Sequence, residues 1–167
     1  MKTSSEELQS MESENANENE HDHIEAESPR EDMVPLFGYE LLREVLIPDL
    51  LGKETPDILY WAGKHLARKF PLLSDEEIQS FFLEAGWGHL RAVKQGKNST
   101  EYELTSPAIQ KRLEMKEQSC FRLEAGFLAQ QIQNQQKAIT EAHEEVQRRQ
   151  KKVHILVQWD QKDKIID

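Results

Sequence analysis

The chain has few of the residues that support covalent stabilisation or membrane insertion. It holds one cysteine, Cys120, in 167 residues, which excludes an intrachain disulfide and a zinc site built from several cysteines. No segment approaches the roughly 20 consecutive apolar residues that a transmembrane helix needs. The N-terminus carries acids where a signal peptide has a basic start and an apolar core. We therefore expect a cytoplasmic protein that has no membrane span.

Basic residues are also scarce, since 21 Lys and Arg stand against 31 Asp and Glu. Most of the excess lies in residues 1–32, where eleven acids accompany only Lys2 and Arg30. The remaining 135 residues hold 20 acids and 19 bases and are close to neutral. A nucleic-acid-binding domain needs a clustered excess of Lys and Arg, and an acidic tail repels phosphates. We expect no binding of DNA or RNA.

The acidic segment also lacks aromatic side chains, and Glu, Asn and Ser dominate it. Such a composition cannot bury enough apolar surface to offset the conformational entropy lost on folding. We predict a disordered acidic tail over residues 1–33 and a single folded domain over residues 34–163.

Helical periodicity predicts an amphipathic first helix over residues 38–51. Its apolar side is broad and belongs either to the core or to a subunit interface, and it comprises Leu41, Leu42, Val45, Leu46 and Leu50. Pro48 is expected to kink or end this helix, and Gly52 to stop it.

A second helix is predicted over residues 56–70, with small and apolar residues on one side. Its other side places Trp61, His65 and Arg68 in one stripe. The stripe is interpreted either as a half-exposed helix face or as an anion pocket or partner surface.

Capping and turn signals predict the next elements. Ser74 and Glu77 form a capping box that opens a third helix ending near Gly86. Two short extended runs, 87–93 and 100–105, are separated by a turn-like segment and predict a β-hairpin. Ser106 and Pro107 then begin a short helix that runs to Met115.

The most apolar stretch, residues 119–132, carries a carboxylate at its centre. On a helix, Glu124 and Gln131 lie near the middle of the apolar arc, so we expect Glu124 to point into the core. Ser119 is the expected N-cap, and Gly126 faces the opposite side, where another backbone can approach. Candidate ion-pair partners for Glu124 are Arg68, Lys64 and His65, and the alternative is that Glu124 anchors the polar end of a ligand.

The C-terminal region predicts a strand over residues 153–159 because apolar and polar side chains alternate there. The preceding residues, 138–149, fit either a helix or a second strand. If they are extended, the two segments form a second hairpin with its turn near residues 149–151.

Four motifs carry a resemblance to a known family. They are YWAGKHLARKFPL at 60–72, EAGWG at 84–88, CFRLEAGF at 120–127 and VQWD at 157–160. They resemble the YslB family of Gram-positive bacteria, which is similar in fold to vinyl-reductase-type domains, vesicle-tethering TRAPP subunits and haem nitric-oxide/oxygen domains. The resemblance implies an α+β fold, with N-terminal helices and a long central helix packed on a small antiparallel sheet of two hairpins. It favours a strand at 138–149 and implies a homodimer.

The cysteines common near the C-terminal hairpin of vinyl-reductase-type domains are absent, and no His aligns with a haem ligand, so we expect no metal and no cofactor. The resemblance favours a dimeric small-molecule-binding or regulatory module for an apolar or amphipathic ligand. The candidate binding residues are Glu124, Cys120, Phe127, Gln131, Trp61, His65 and Arg68.

Two alternatives remain. One is a protein-interaction scaffold that uses the Trp61 stripe or the first helix. The other is an enzyme in which Glu124 and His65 act as acid and base and Cys120 has a lowered thiol pKa at a helix N-terminus. No catalytic motif is recognised, so we expect a protein that is not an enzyme.

Deletion of residues 1–32 should leave the thermal midpoint within about two degrees, because this segment has little apolar surface to bury. Thermal denaturation of the full and truncated chains measures the difference. A loss of many degrees would show that the tail packs on the domain.

Overall fold

The computed structural model describes residues 35–115 and 119–165, without the side chain of Met115. The predicted acidic tail, residues 1–33, lies outside the described residues. The first described element is a helix over residues 36–51, called here the N-terminal helix, which consists of α1 (Leu36–Glu40), a π-helical segment (Leu41–Leu46) and α2 (Ile47–Leu51). The other helices are α3 (Thr55–Lys69), α4 (Asp75–Glu84), α5 (Pro107–Met115) and α6 (Arg122–Gln136). The strands are β1 (His89–Gln95), β2 (Ser99–Thr105), β3 (Ala138–Gln147) and β4 (Lys152–Lys164).

The four strands form one antiparallel sheet with the order β1-β2-β4-β3. Both predicted hairpins are confirmed, and residues 138–147 are a strand, as the resemblance favoured. One face of the sheet is apolar and buried, with Tyr102 directly opposite Ile155. The other face carries ion pairs that cross the strands, such as Arg91 with Glu103 at 3.0 Å and Lys94 with Glu101 at 2.8 Å. The predicted α+β class is therefore confirmed.

Helix α6 lies between the sheet and helix α3. All nine residues from 124 to 132 are buried, which confirms that this helix is covered on both sides. It crosses α3 where Gly63 and Gly126 meet the opposing backbone, and a Cβ atom added at Gly126 would overlap the carbonyl of Tyr60. The two glycines let the helix backbones touch.

Aromatic side chains fill the space between α4, α6 and the start of β1. The ring of Phe127 stacks on Phe81 at a centroid distance of 4.5 Å and meets Trp87 edge-on at 5.3 Å. Phe82 meets Trp87 edge-on at 5.0 Å. Such contacts add to area burial and fix the docking of α4.

Side chains of helix α3 cover the outer edge of strand β3. The amide of Ala142 donates to the hydroxyl of Tyr60 at 3.1 Å, and the ammonium of Lys64 donates to the carbonyl of Thr140 at 3.2 Å. These bonds occupy backbone groups that would otherwise offer a free edge for strand addition. Lys64 therefore bonds to strand β3 and does not pair with Glu124.

The N-terminal helix turns its apolar side to solvent. Seven of its large apolar residues are between 44% and 73% exposed, whereas Ile47 and Leu51 are half-buried, and the seven are Leu36, Phe37, Leu41, Leu42, Val45, Leu46 and Leu50. Its inward side carries Arg43, which is 7% exposed, and the half-buried Tyr39, Glu40 and Glu44. The core alternative for the apolar side is thus excluded within the described chain.

Pro48 does not end this helix, which continues to Leu51. The six residues from 41 to 46 are instead wound as a π-helix, and this wider turn lies directly before the proline. Proline cannot donate to the carbonyl four residues earlier, and π-turns are one way in which helices absorb such a disruption. The helix stops at Gly52, which has a positive φ of 61°.

Replacement of Gly126 by alanine should destabilise the domain by about 3 kcal/mol or more, because the added methyl group would meet the α3 backbone and force the helices apart. Chemical denaturation measures the change. Ala62→Ser, on the exposed side of α3, is the matched control and should change stability by less than about 1 kcal/mol. A neutral Gly126→Ala variant would contradict the close crossing.

Candidate functional site

A buried ion pair joins the N-terminal helix to helix α6. Glu124 has no exposed surface, as the sequence predicted, and its Oε1 accepts a hydrogen bond from Nη2 of Arg43. The same guanidinium donates through Nη1 to the hydroxyl of Tyr39 at 2.7 Å. Burial acts to lower the pKa of Arg43, but the charge of Glu124 and the bond to Tyr39 outweigh it, so that the pKa lies above its ordinary value. Arg43 is charged at every pH at which the protein folds.

The pair belongs to a larger charge network on the inward side of the N-terminal helix. Glu44 lies 3.6 Å from Nε of Arg43 and also accepts from the guanidinium of Arg112, on α5. Burial and repulsion by Arg43 lower the pKa of Arg112. Lys111 of the same helix approaches Glu40 at 3.6 Å. The charges nearly balance, which is the condition for keeping several of them out of water.

The network is not fully satisfied by the described residues. Buried polar atoms for which the described chain offers no partner are Oε2 of Glu124, Oε1 of Glu40, Nε of Arg112 and Oγ of Ser119. Native proteins pair most buried polar atoms, so each of these atoms marks a place where a water or ligand would gain a hydrogen bond.

A cavity of about 460 Å³ adjoins this network, and its walls belong to different elements. The N-terminal helix contributes Arg43, Glu44 and Pro48, whereas α3 contributes Pro56 and Leu59. The wall on the α6 and β3 side is formed by Ser119, Cys120, Arg122 and Glu144. Arg122 pairs with Glu144 at 3.2 Å. A volume of this size falls within the range that small ligands occupy, roughly 300–1,000 Å³.

The predicted binding residues divide into three groups. Glu124 and Cys120 lie at the network and the cavity, respectively. Phe127 belongs to the packed aromatic cluster, and Gln131 is buried where its side chain bonds the Leu72 amide at 3.0 Å and the Phe70 carbonyl at 2.7 Å. These last two side chains hold the fold together and do not line the cavity.

The third group is the stripe on α3. Trp61 is 62% exposed, and His65 and Arg68 are exposed as well. Arg68 donates to Gln130 at 3.1 Å, so the stripe lies on the surface over the middle of α6. His65 and the fully buried Glu124 have no common exposed surface, and the geometry does not offer them to one substrate as acid and base.

Three local expectations were wrong. The partner of Glu124 is Arg43, not Arg68, Lys64 or His65, because Lys64 and Arg68 are engaged with β3 and Gln130 and His65 is exposed. Ser119 does not cap helix α6, which begins at Arg122 with Phe121 at the N-cap position and no side-chain cap. Burial raises the pKa of the Cys120 thiol above its usual range, which opposes the expected reactivity.

Four residues of this site were not predicted from the sequence, namely Arg43, Glu44, Arg112 and Glu144. A signal was present in the run Leu41–Leu46, where Arg43 and Glu44 interrupt an apolar helix. Periodicity shows that such a helix has one apolar and one charged side. Which side faces the domain depends on the surface that the other elements present to the helix. The buried carboxylate of Glu124 is the feature that draws the charged side inward.

The chain matches the family model described as "Protein of unknown function (DUF2507)" over residues 36–158. The chain belongs to this family. It is also 50% identical over 129 residues to the uncharacterized protein YslB of Bacillus subtilis (strain 168), a match that covers 77% of this chain and 87% of the relative. The sequence resemblance is thereby confirmed.

Two solved structures share the fold. A vinyl-4-reductase family protein from Methanocaldococcus jannaschii superposes with a TM-score of 0.59 at 20% identity, covering 80% of this chain and 85% of the other. The phenol-responsive sensory domain of the transcription activator PoxR, crystallised with phenol, gives a TM-score of 0.56 at 13% identity and covers 75% of each chain. At these identities the likeness establishes the architecture and no more.

Residues 35–115 and 119–165 contain no group of three or more His, Cys, Asp or Glu side chains placed to hold a metal ion. None of the helices in these residues has the length and apolarity to cross a membrane.

Glu124→Gln should lower the free energy of unfolding by roughly 3–5 kcal/mol, because the buried Arg43 charge loses its counterion while the shape is kept. Chemical denaturation measures the loss. The matched control is Glu114→Gln, whose carboxylate pairs with Lys151 at 2.8 Å while both side chains are more than half exposed, and it should change stability by less than about 1 kcal/mol. Equal effects of the two substitutions would contradict a special role for the Arg43–Glu124 pair.

Proposed function

We propose that this domain is a small-molecule-binding or regulatory module that works as a homodimer and holds its ligand in the cavity beside the Arg43–Glu124 pair. The observation that carries the proposal is the cavity of about 460 Å³, whose walls combine apolar and polar groups. Pro48, Pro56 and Leu59 offer apolar contacts, while Ser119 Oγ is a buried hydroxyl for which the described chain provides no partner.

The ligand class follows from the charges around the cavity. Arg43 is paired with Glu124, Glu44 with Arg112, and Arg122 with Glu144. A charged ligand that reached these three pairs would have to separate one of them, whereas a neutral amphipathic ligand would leave them intact. The remaining cation of the lining, Lys53, is 92% exposed and stays in solvent beside Glu54. The PoxR sensory domain, a protein of the same fold, was crystallised with phenol, and this likeness is compatible with an amphipathic ligand here.

Self-association is supported by the outer side of the N-terminal helix. Seven large apolar side chains on this side are 44–73% exposed, and a standard interface buries roughly 800 Å² of each partner, with apolar side chains at its centre. Asp49 is the one exposed charged residue among residues 36–51, so two copies can meet without strong like-charge repulsion. The cytoplasmic location expected from the sequence stays a prediction.

A scaffold function is the second candidate, because the same apolar side and the exposed Trp61 would also suit a protein partner. The two functions differ in whether the cavity is occupied. A binding module loses its ligand when a side chain fills the cavity, whereas filling the cavity does not change partner binding by a scaffold.

Native mass spectrometry of the purified protein should detect a co-purified small molecule, and Leu59→Trp should abolish it by placing an indole in the cavity. Ile58→Trp, at the neighbouring 43% exposed position, is the matched control and should keep the ligand. Absence of any bound species in the wild-type protein, or an equal amount in all three proteins, would favour the scaffold.

The paired substitution of Leu42 and Leu46 by glutamate should convert the dimer to a monomer at tens of micromolar, as measured by sedimentation velocity, because it places charges in an apolar contact. Leu73→Glu, at an 84% exposed position outside the N-terminal helix, should leave the dimer intact. A dimer that survives the paired substitution lies elsewhere on the surface.

A further inference from the structure

The N-terminal helix takes part in two features that have so far been described separately. Its inward side supplies Arg43, Glu44 and Pro48 to one wall of the cavity. Its outward side is the exposed apolar surface from Leu36 to Leu50. A single helix therefore stands between the cavity and the surface that suits a second copy.

This helix is attached to the rest of the domain mainly through charged and polar contacts. Its described ion pairs across to α5 and α6 are Arg43 with Glu124, Glu44 with Arg112 and Glu40 with Lys111. Seven of its large apolar residues, which would anchor an ordinary amphipathic helix, are exposed, and only Tyr39, Ile47 and Leu51 are half-buried. Partly satisfied polar networks hold less firmly than packed apolar faces, and Glu40 Oε1 and Glu124 Oε2 have no described partner.

The backbone of the helix is also irregular at the point of attachment. Arg43 and Glu44 both lie in the π-helical segment Leu41–Leu46, which interrupts the α-helix before Pro48. Short π-helical insertions occur frequently at functional sites. Arg43, which contacts both the cavity and Glu124, and Glu44, which lines the cavity, thus lie in the least regular part of the helix.

The opposite wall of the cavity does not belong to this helix. Leu59 lies on α3, Cys120 precedes α6, and Arg122 is the first residue of α6. An occupant of the cavity therefore touches the N-terminal helix on one side and the body of the domain on the other. A molecule that contacts both walls binds only the state in which the helix is docked, and it stabilises that state by mass action.

We propose that the N-terminal helix couples the cavity to self-association: an occupant of the cavity fixes the helix in its docked position and thereby strengthens the dimer. The docked helix presents its apolar side as one rigid surface, whereas a detached helix must be ordered before two copies can pair. This inference rests on the proposed function, since it needs both a usable cavity and a dimer. It assigns to the ligand a regulatory effect on the assembly of the protein.

The lone cysteine allows the coupling to be tested without knowledge of the natural ligand. Cys120 lines the cavity, so alkylation with N-ethylmaleimide places a small covalent occupant there, and pH 9 offsets the raised pKa of the thiol. Hydrogen exchange of residues 39–51 and the dimer dissociation constant are then measured. The control is Cys120→Ser, treated in the same way.

Alkylation should slow exchange in residues 39–51 by about five-fold or more and lower the dimer dissociation constant by a similar factor. Exchange in α4 and in the β1–β2 hairpin should change by less than about two-fold, because these elements do not contact the cavity. Unchanged or faster exchange in the N-terminal helix would overturn the coupling. So would slower exchange with an unchanged dissociation constant.

Leu59→Trp fills the cavity from the opposite wall with an indole. It tests the coupling independently if Cys120 does not react. It should produce the same selective protection and the same tightening of the dimer, and an equal slowing of exchange throughout the domain would instead indicate general stabilisation.

The proposed ligand binding and the proposed coupling fail in different ways. If alkylated Cys120 or Leu59→Trp protects the N-terminal helix although the purified protein carries no natural ligand, the coupling stands and the proposed ligand binding is refuted. If a natural ligand is bound but these occupants leave exchange in the helix unchanged, ligand binding stands and the coupling is refuted.

Discussion

The ion pair between Arg43 and Glu124 is the constraint on which the arrangement of this domain depends. A carboxylate with no exposed surface needs a partner beside it, and no cation of α3 takes that place, because Lys64 and Arg68 bond to β3 and Gln130. The counterion must come from another element. The N-terminal helix supplies it and in doing so turns its charged side inward and its apolar side outward. The exposed apolar surface is therefore a consequence of the buried charge and needs no separate explanation.

The same pair explains why the cavity lies where it does. Between α3 and α6 the backbones touch at Gly63 and Gly126, and the aromatic rings of Phe81, Trp87 and Phe127 fill the space near α4. Those regions are packed and have no room for a ligand. The N-terminal helix, by contrast, meets the domain through long charged side chains, which leave space between the helix and the ends of α3 and α6. The polar attachment of the helix and the available volume thus have one cause.

The fold is shared with the vinyl-4-reductase family protein and with the phenol-responsive domain of PoxR, but a fold hosts many functions. The argument for ligand binding in this chain depends on its own cavity and its unpaired polar atoms. Membership of a family described as being of unknown function adds no site. The described residues give less support to catalysis, since His65 is exposed, Glu124 is fully buried and the Cys120 thiol has a raised pKa.

The sequence by itself determined most of the secondary structure and the burial of Glu124. Capping at Ser74 and Ser106, alternation along residues 153–159 and the helical arc of residues 119–132 are local patterns, and local geometry decides their outcome. The segment 138–147 fitted a helix or a strand equally, and only pairing with β4 made it a strand. The choice of Arg43 as partner of Glu124, 81 residues away, was equally beyond the sequence, as was the direction in which the N-terminal helix faces. Periodicity reports that a helix has an apolar and a charged side. Which side is inward depends on the free energy of burying each against a surface that exists only when distant segments have met.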